Sequence, residues 1–185
     1  MDSSNTIAIV VIAVVIVAAV LFLAMRKQRR ASLRSNFGPE YERTVEEVGD
    51  RRRAEHELNE RRKRVSKFEL RPLSVSERDH FISVWHLTQA EFVDQPKQAL
   101  ARADDLLTEV MRARGYPTED FEQRSADLSV DHPAVVQNYR AGRDIAIRER
   151  RGEASTEDLR QAMIHFRALF DELVGDPAVD TRRHA

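Results

Sequence analysis

The chain reads as all-α, with one N-terminal transmembrane helix, a charged helical stalk and a compact bundle of about five helices. Three observations carry that reading. An uninterrupted, uncharged run of 19 hydrophobic residues extends from Ile7 through Ile16 to Met25. Beyond it, apolar residues recur at three- and four-residue spacing and no window alternates with period two, which argues against a sheet. Between the periodic stretches stand the marks of helix ends: Ser, Thr or Asp at starts, Gly or Pro at stops.

Length and composition set the frame. At 185 residues there is room for one modest domain with additions. The absence of Cys excludes disulfides, thiolate metal sites and cysteine nucleophiles. The formal net charge of -1 conceals a division. Residues 26–71 hold 15 basic and 9 acidic side chains, whereas residues 72–185 hold 15 and 21. A basic spacer is joined to an acidic body.

The apolar run comes first. As a helix rising 1.5 Å per residue it covers roughly 28 Å, close to the ~30 Å hydrocarbon core of a bilayer. In lipid, only a helix satisfies the backbone of an isolated segment. A cleaved secretory signal would place positive charge before the run and a small-residue cleavage site after it. Here the order is reversed: residues 1–6 hold Asp2 and no Lys or Arg, while Arg26, Lys27, Arg29, Arg30 and Arg34 follow. The positive-inside rule therefore expects a single pass through the cell membrane, with a short external N-terminus at 1–6 and a cytoplasmic C-terminal domain. With no internal charge or polar group the span reads as a plain anchor. Residues 26–38 read as a basic juxtamembrane linker that anionic headgroups would attract.

Next is the stalk, 39–71. Pro39 suits the first turn of a helix running to about Phe68 and interrupted or weakened at Gly49. Acids crowd its start and Arg61, Arg62, Lys63, Arg64 and Lys67 its end, complementing the helix dipole. Tyr41, Val48, Leu58 and Val65 share a heptad seam with Arg51, Glu55 and Arg62, which makes a poor coiled coil. A solvated stalk with one shallow contact face is expected, with self-association through it as the alternative. Arg51–Arg53 and Arg61–Arg64 are separated by Glu55, Glu57 and Glu60, and no recognition motif or stacking aromatics accompany them. Nucleic acid is not an expected partner.

The body spans 72–175. Ser74 with Glu77, or Ser76 with Asp79, opens a first helix carrying Phe81, Trp85 and Phe92. Pro96 begins a second, whose apolar positions Ala99, Leu100, Ala103, Leu106, Leu107, Val110 and Met111 end at Gly115 and Pro117. Thr118 reads as the cap of a short helix with Phe121 and Leu128. Asp131 reads as the cap of a fourth, entered through Pro133 and ending near Gly152. Ser155 or Thr156 starts the last, with Leu159, Met163, Phe166, Phe170 and Leu173 on one face and Gly175 closing it. The tail, 176–185, has no periodicity and reads as disordered. Connections of a few residues favour antiparallel neighbours in a bundle.

Chemistry-bearing residues are few. Asp127, Asp131 and His132 put two carboxylates four apart beside an imidazole, an arrangement able to supply an acid/base pair or metal ligands. Capping accounts for Asp131 more simply. A closed zinc site needs three or four convergent ligands, and nothing in the sequence requires His80, His86, His132 and His165 to meet. His56-Glu57 lacks the second His of a zincin, with Glu60 in its place. No glycine-rich phosphate loop occurs, and no cofactor or metal is expected. Trp85, Phe92, Tyr116, Phe121, Phe166 and Phe170 read as core, with a partner-binding groove lent adaptability by Met111 and Met163 as the alternative.

The strings FVDQPKQALARADDLLTEVMRARGYP, DLSVDHPAVVQNYR and ASTEDLRQAMIHFRALFDEL, together with Phe37-Gly38-Pro39-Glu40-Tyr41, resemble a bacterial family of small single-pass membrane proteins of unknown function. The resemblance covers roughly Arg34 through Leu173. It implies a bacterial origin and the layout of an anchor with a helical domain, and brings no catalytic residue, ligand or partner. The residues thus lead to the expectation of a non-enzymatic, membrane-tethered interaction or scaffold domain with the bilayer and an unknown protein as partners. One alternative is a membrane-anchored enzyme or metal-binding protein using Asp127, Asp131 and His132. A second is a stalk associated with anionic lipid.

Overall fold

The structure, a computed structural model, describes the backbone of residues 3–175; the side chains of 3–15, 19, 22 and 29 and all of 1, 2 and 176–185 lie outside the described residues. Eight helices and no strand occur among the described residues. The chain separates into two compact units, Met1–Leu58 and Asn59–Ala185.

In the first unit, α1 (Ser3–Phe37) contains the apolar run and continues without a break through the basic segment. The linker expected at 26–38 is thus helical as far as Phe37. Leu33 and Phe37, four residues apart and so on one helix face, are both buried, and that burial gives this otherwise polar stretch a reason to stay helical. Gly38 turns the chain at φ 48, and α2 (Pro39–Val48) packs back on α1, with Tyr41 and Thr44 buried. The helix expected from Pro39 is interrupted at Gly49, one of the two alternatives the sequence offers there. Gly49 closes α2 in the left-handed conformation at φ 70, its N–H donating to the Val45 carbonyl at 3.0 Å. The Asp50 carboxylate then accepts from the Arg53 N–H at 2.8 Å and caps α3 (Arg51–Val65). Ala54, Leu58, Arg61 and Val65 form one buried face of α3, so this helix is less solvated than a stalk with a shallow contact face.

The second unit holds the last turns of α3 and five further helices: α4 (Val75–Glu91), α5 (Pro96–Ala113), α6 (Phe121–Asp131), α7 (Val136–Arg150) and α8 (Thr156–Gly175). The Ser74 capping box is the one formed: its hydroxyl accepts from the Glu77 N–H while the Glu77 carboxylate accepts from the Ser74 N–H at 2.9 Å. Helix α8 packs against α5 and α7, and α4 covers α5. The core joins the buried faces of α5 and α8 through Leu100, Leu107, Met111, Phe166, Leu169 and Leu173. Trp85 stacks on Phe170 with ring centroids 4.7 Å apart. Two close approaches depend on glycine. A Cβ at Gly142 would lie 2.5 Å from the Phe166 ring, and one at Gly115, where φ is +93, would lie 2.5 Å from the Glu69 carbonyl oxygen.

Two boundaries differ from the expected ones. Asp120, not Thr118, caps α6, accepting from the Gln123 N–H at 2.8 Å, while the Thr118 hydroxyl accepts from Arg112. Asp131-His132-Pro133 ends a helix instead of starting one. Pro133 disfavours the helical region for the residue before it, and His132 accordingly leaves α6 at φ -126, ψ 51. A turn over 133–135 then leads into α7, whose N-terminus has no side-chain cap.

Candidate functional site

The residues with the greatest chemical capacity meet at the C-terminal half of α6, and each is held by a different partner. Asp127 is buried. Its Oδ1 accepts from Arg64 Nε at 2.8 Å and from Gln123 Nε2 at 3.0 Å, and Arg64 Nη2 approaches to 2.7 Å. Burial pushes the carboxyl's pKa up, while the Arg64 guanidinium pulls against that shift without cancelling it. Asp131, one turn on, accepts a hydrogen bond from the Tyr116 hydroxyl at 2.9 Å. His132 is buried, its Nδ1 3.1 Å from Glu172 Oε1 on α8 and its ring 6.3 Å from that of Tyr116.

This arrangement fastens one helix end. The His132 backbone N–H donates to the Leu128 carbonyl at 2.8 Å, closing α6. Its ring joins that end to α8, while Tyr116 joins it to the chain leaving α5. The second ring nitrogen, Nε2, is buried with no hydrogen-bond partner among the described residues. Among the described residues no side-chain hydrogen bond joins Asp127, Asp131 and His132 to one another.

The other histidines are dispersed. His165 Nδ1 lies 3.1 Å from Asn138 Oδ1, the His80 ring leans on Phe81 with centroids 5.6 Å apart, and His86 is exposed. Among the described residues no three metal-ligating side chains gather into a group.

Two buried polar groups carry no sequence signal of their own. Arg114 reads in sequence as part of a helix stop, yet it is wholly buried. Its Nη1 donates to the Leu173 carbonyl at 2.6 Å, meeting the negative end of the α8 dipole, while Nε and Nη2 have no partner. The second group lies among α5, α6 and α7. The Arg124 guanidinium sits 5.9 and 5.7 Å from the Phe121 and Tyr139 ring centres and donates to Thr108 Oγ1 at 2.9 Å. Arg143 pairs with Asp104, whose carboxyl pKa burial raises despite that guanidinium. Burial also raises the Tyr139 hydroxyl. Charge partners here are separated by as many as 39 positions, so no local pattern announces them.

An open groove of about 210 Å³ lies between α4 and α8, lined by Gln89, Phe92, Arg160, Met163, Ile164 and Arg167. Phe92, Met163 and Ile164 supply its apolar lining and Gln89, Arg160 and Arg167 its polar one. Both guanidiniums at its edge are already paired on their own helix: Arg160 donates to Glu157 at 2.8 and 2.7 Å, and Arg167 to Asp171 at 3.3 Å. The aromatics read as core are buried at Trp85, Tyr116, Phe166 and Phe170, and half-buried at Phe92 and Phe121.

Among the described residues no helix is long and apolar enough to cross a membrane, and most side chains of the Ile7 to Met25 run lie outside them. Comparison with protein-family models, curated proteins and solved structures finds no match.

Proposed function

We propose that the protein is a membrane-tethered helical interaction domain: the Ile7 to Met25 run anchors α1 in the cell membrane, and the domain after it binds a protein partner on the cytoplasmic side. The observation that carries this reading is the 19-residue apolar run followed within one helix by Arg26, Lys27, Arg29, Arg30 and Arg34. Tethering raises a domain's effective concentration for partners at the membrane without any new contact. The bacterial single-pass family that the sequence resembles has the same layout.

The side chains favour binding over catalysis. Asp127, Asp131 and His132 are occupied by Arg64, Tyr116 and Glu172, and the free His132 nitrogen faces neither solvent nor a nucleophile. The α4–α8 groove is open, with Phe92, Met163 and Ile164 offering apolar surface for a side chain of a partner.

The test uses the full chain in intact cells. The protein stays with membranes through high-salt and alkaline washes, and replacing Ile16 and Val17 with Arg releases it, since a charge near the centre of a span costs about 2.5–3.5 kcal/mol. Crosslinking and pull-down recover a protein that is lost when 72–175 is deleted; recovery of lipid alone would sink the binding role. A reporter fused after Ala185 is active only on the cytoplasmic side, and external activity reverses the topology.

A further inference from the structure

The sequence separates the basic residues after Met25 from the run Arg51–Arg53 by two dozen positions, but the first unit folds them to one level. The Arg34–Glu42 ion pair, at 2.8 Å, joins residues four before and four after Gly38. Helices α1 and α2 are therefore antiparallel about that glycine. Carried down both helices, the register places Gly49, eleven after Gly38, opposite Lys27, eleven before it. A second observation agrees. Glu55, one turn beyond the start of α3, lies 3.1 Å from Arg30 Nε and accepts from the Tyr41 hydroxyl at 3.0 Å. Arg51 is close enough to oppose the rise in the Tyr41 pKa that burial and Glu55 cause. So α3 starts at the level of Lys27, reaches that of Arg30 at Glu55, and runs in the direction of α1.

From this juxtaposition we propose that Arg26, Lys27, Arg51, Arg52 and Arg53 form a basic collar that docks on anionic lipid headgroups around the foot of the anchor. The inference rests on the membrane-anchor reading. Arg30 is five residues past Met25, about 7.5 Å of helix, and the headgroup region on one side of a bilayer is of similar depth. Lys27, Arg51, Arg52 and Arg53 are exposed, Arg26 is half-exposed, and none of the five forms an ion pair among the described residues. The acids at this level are largely engaged. Glu47 is held by Arg43, Glu55 by Arg30 and Tyr41, and Asp50 by the Arg53 N–H, which leaves Glu46.

The other basic run behaves differently. Arg61 is buried, Lys63 pairs with Glu60 and Arg64 with Asp127. It also starts ten residues farther along α3, about 15 Å by helical rise and beyond the ~8 Å Debye length at physiological salt. The fold thus leaves Arg51–Arg53 exposed and without ion pairs among the described residues, and buries Arg61 and pairs Lys63 and Arg64 of the second run.

Because the chain has no cysteine, His56→Cys in full-length protein accepts a single fluorophore on the exposed side of α3. Vesicles of phosphatidylcholine, with and without phosphatidylglycerol, carry a quencher on a fraction of their headgroups. The collar predicts stronger quenching with phosphatidylglycerol, reversed by high salt and lost in Arg51→Gln/Arg52→Gln/Arg53→Gln. Each Arg removed is expected to lower the docked-to-undocked ratio about fivefold, corresponding to ~1 kcal/mol per basic residue. Arg62→Gln/Lys63→Gln, at exposed positions of the same helix, leaves the signal unchanged, and an unaltered helical circular dichroism spectrum shows that both variants are folded. Flotation with pure phosphatidylcholine vesicles in high salt reports the anchor separately. Protein that floats but shows quenching indifferent to phosphatidylglycerol or to the triple substitution overturns the collar and leaves the anchor standing; protein that does not float overturns both.

Discussion

The two units are both helical but are held by different forces. In Met1–Leu58 the described interactions are chiefly electrostatic: Arg30 with Glu55, Tyr41 with Glu55, Arg34 with Glu42, and Arg43 with Glu40 and Glu47, around a few buried side chains such as Leu33 and Phe37. In Asn59–Ala185 a continuous apolar core joins α4, α5, α7 and α8, and several ionic groups are buried at its margins. Helical content by itself therefore says little about stability. Exposed ion pairs contribute at most about 1 kcal/mol each and weaken with salt, whereas a buried large apolar side chain contributes about 1.5–3 kcal/mol. The first unit should soften as ionic strength rises, and the second should not.

The strongest test of that contrast is Phe166→Ala. Phe166 is fully buried against Tyr139 and Gly142, and its removal is expected to cost about 3–5 kcal/mol. Urea denaturation followed by the single tryptophan, Trp85, reads this unit specifically because Trp85 stacks on Phe170 inside its core. A loss below about 1 kcal/mol would mean that the core is less tightly packed than the contrast requires.

Gly142→Ala approaches the same ring from the other side. The added Cβ would meet the Phe166 ring at 2.5 Å, and the overpacking is expected to destabilise by about 1–3 kcal/mol in the same titration. In the first unit the largest single polar loss should be smaller. Tyr41→Phe deletes the hydroxyl that binds Glu55 and is expected to cost about 0.5–1.5 kcal/mol, read as faster tryptic cleavage after Arg30 and Arg51. High salt should reproduce part of that effect there while leaving the Trp85 transition in place.

An effect of similar size concerns the α4 capping box. Arg71 and Ser74 bind the Glu77 carboxylate and lower its pKa from 4.5 to about 2. Between those values the unfolded chain binds more protons than the folded one, so Glu77's contribution is present above pH 4.5 and is lost as pH falls toward 2. Glu77→Gln should flatten that part of the pH–stability curve. Ser74→Ala removes the cap itself, at about 1 kcal/mol, and should destabilise across the whole pH range.

Much of the second unit was legible from local pattern. The α5 face from Ala99 to Met111, the α8 face from Leu159 to Leu173, the stop at Gly115 and the Ser74 start all rest on spacing and end chemistry, which act over a few residues. Misreadings arose where two local rules compete. Asp131-His132-Pro133 has the composition of a helix start, but the constraint of Pro133 on His132 ends α6 there. Thr118 is a good cap by type, yet Asp120 stands closer to the first apolar turn and takes the role. Residues 26–38 are polar enough to read as a linker, and only the burial of Leu33 and Phe37 shows why the helix continues.

The candidate site was legible in composition and not in arrangement. Asp127, Asp131 and His132 stand out in the sequence as a possible acid/base group, but nothing nearby names Arg64, Tyr116 and Glu172, which lie 63, 15 and 40 positions away. Arg114 gives no sign of burial, because its partner is a backbone carbonyl 59 residues on.

The sequence by itself determined the all-helical class, the hydrophobic run, the basic and acidic halves and most helix ends, since these follow from spacing and charge over short stretches. Only the tertiary structure decided which charges are spent. Arg61–Arg64 and Arg51–Arg53 are nearly the same string on one helix, yet the fold buries or pairs members of the first and leaves the second exposed. Charge is a property of a residue, but its availability depends on what the folded chain brings within a few ångströms, and that is decided by contacts distant in sequence.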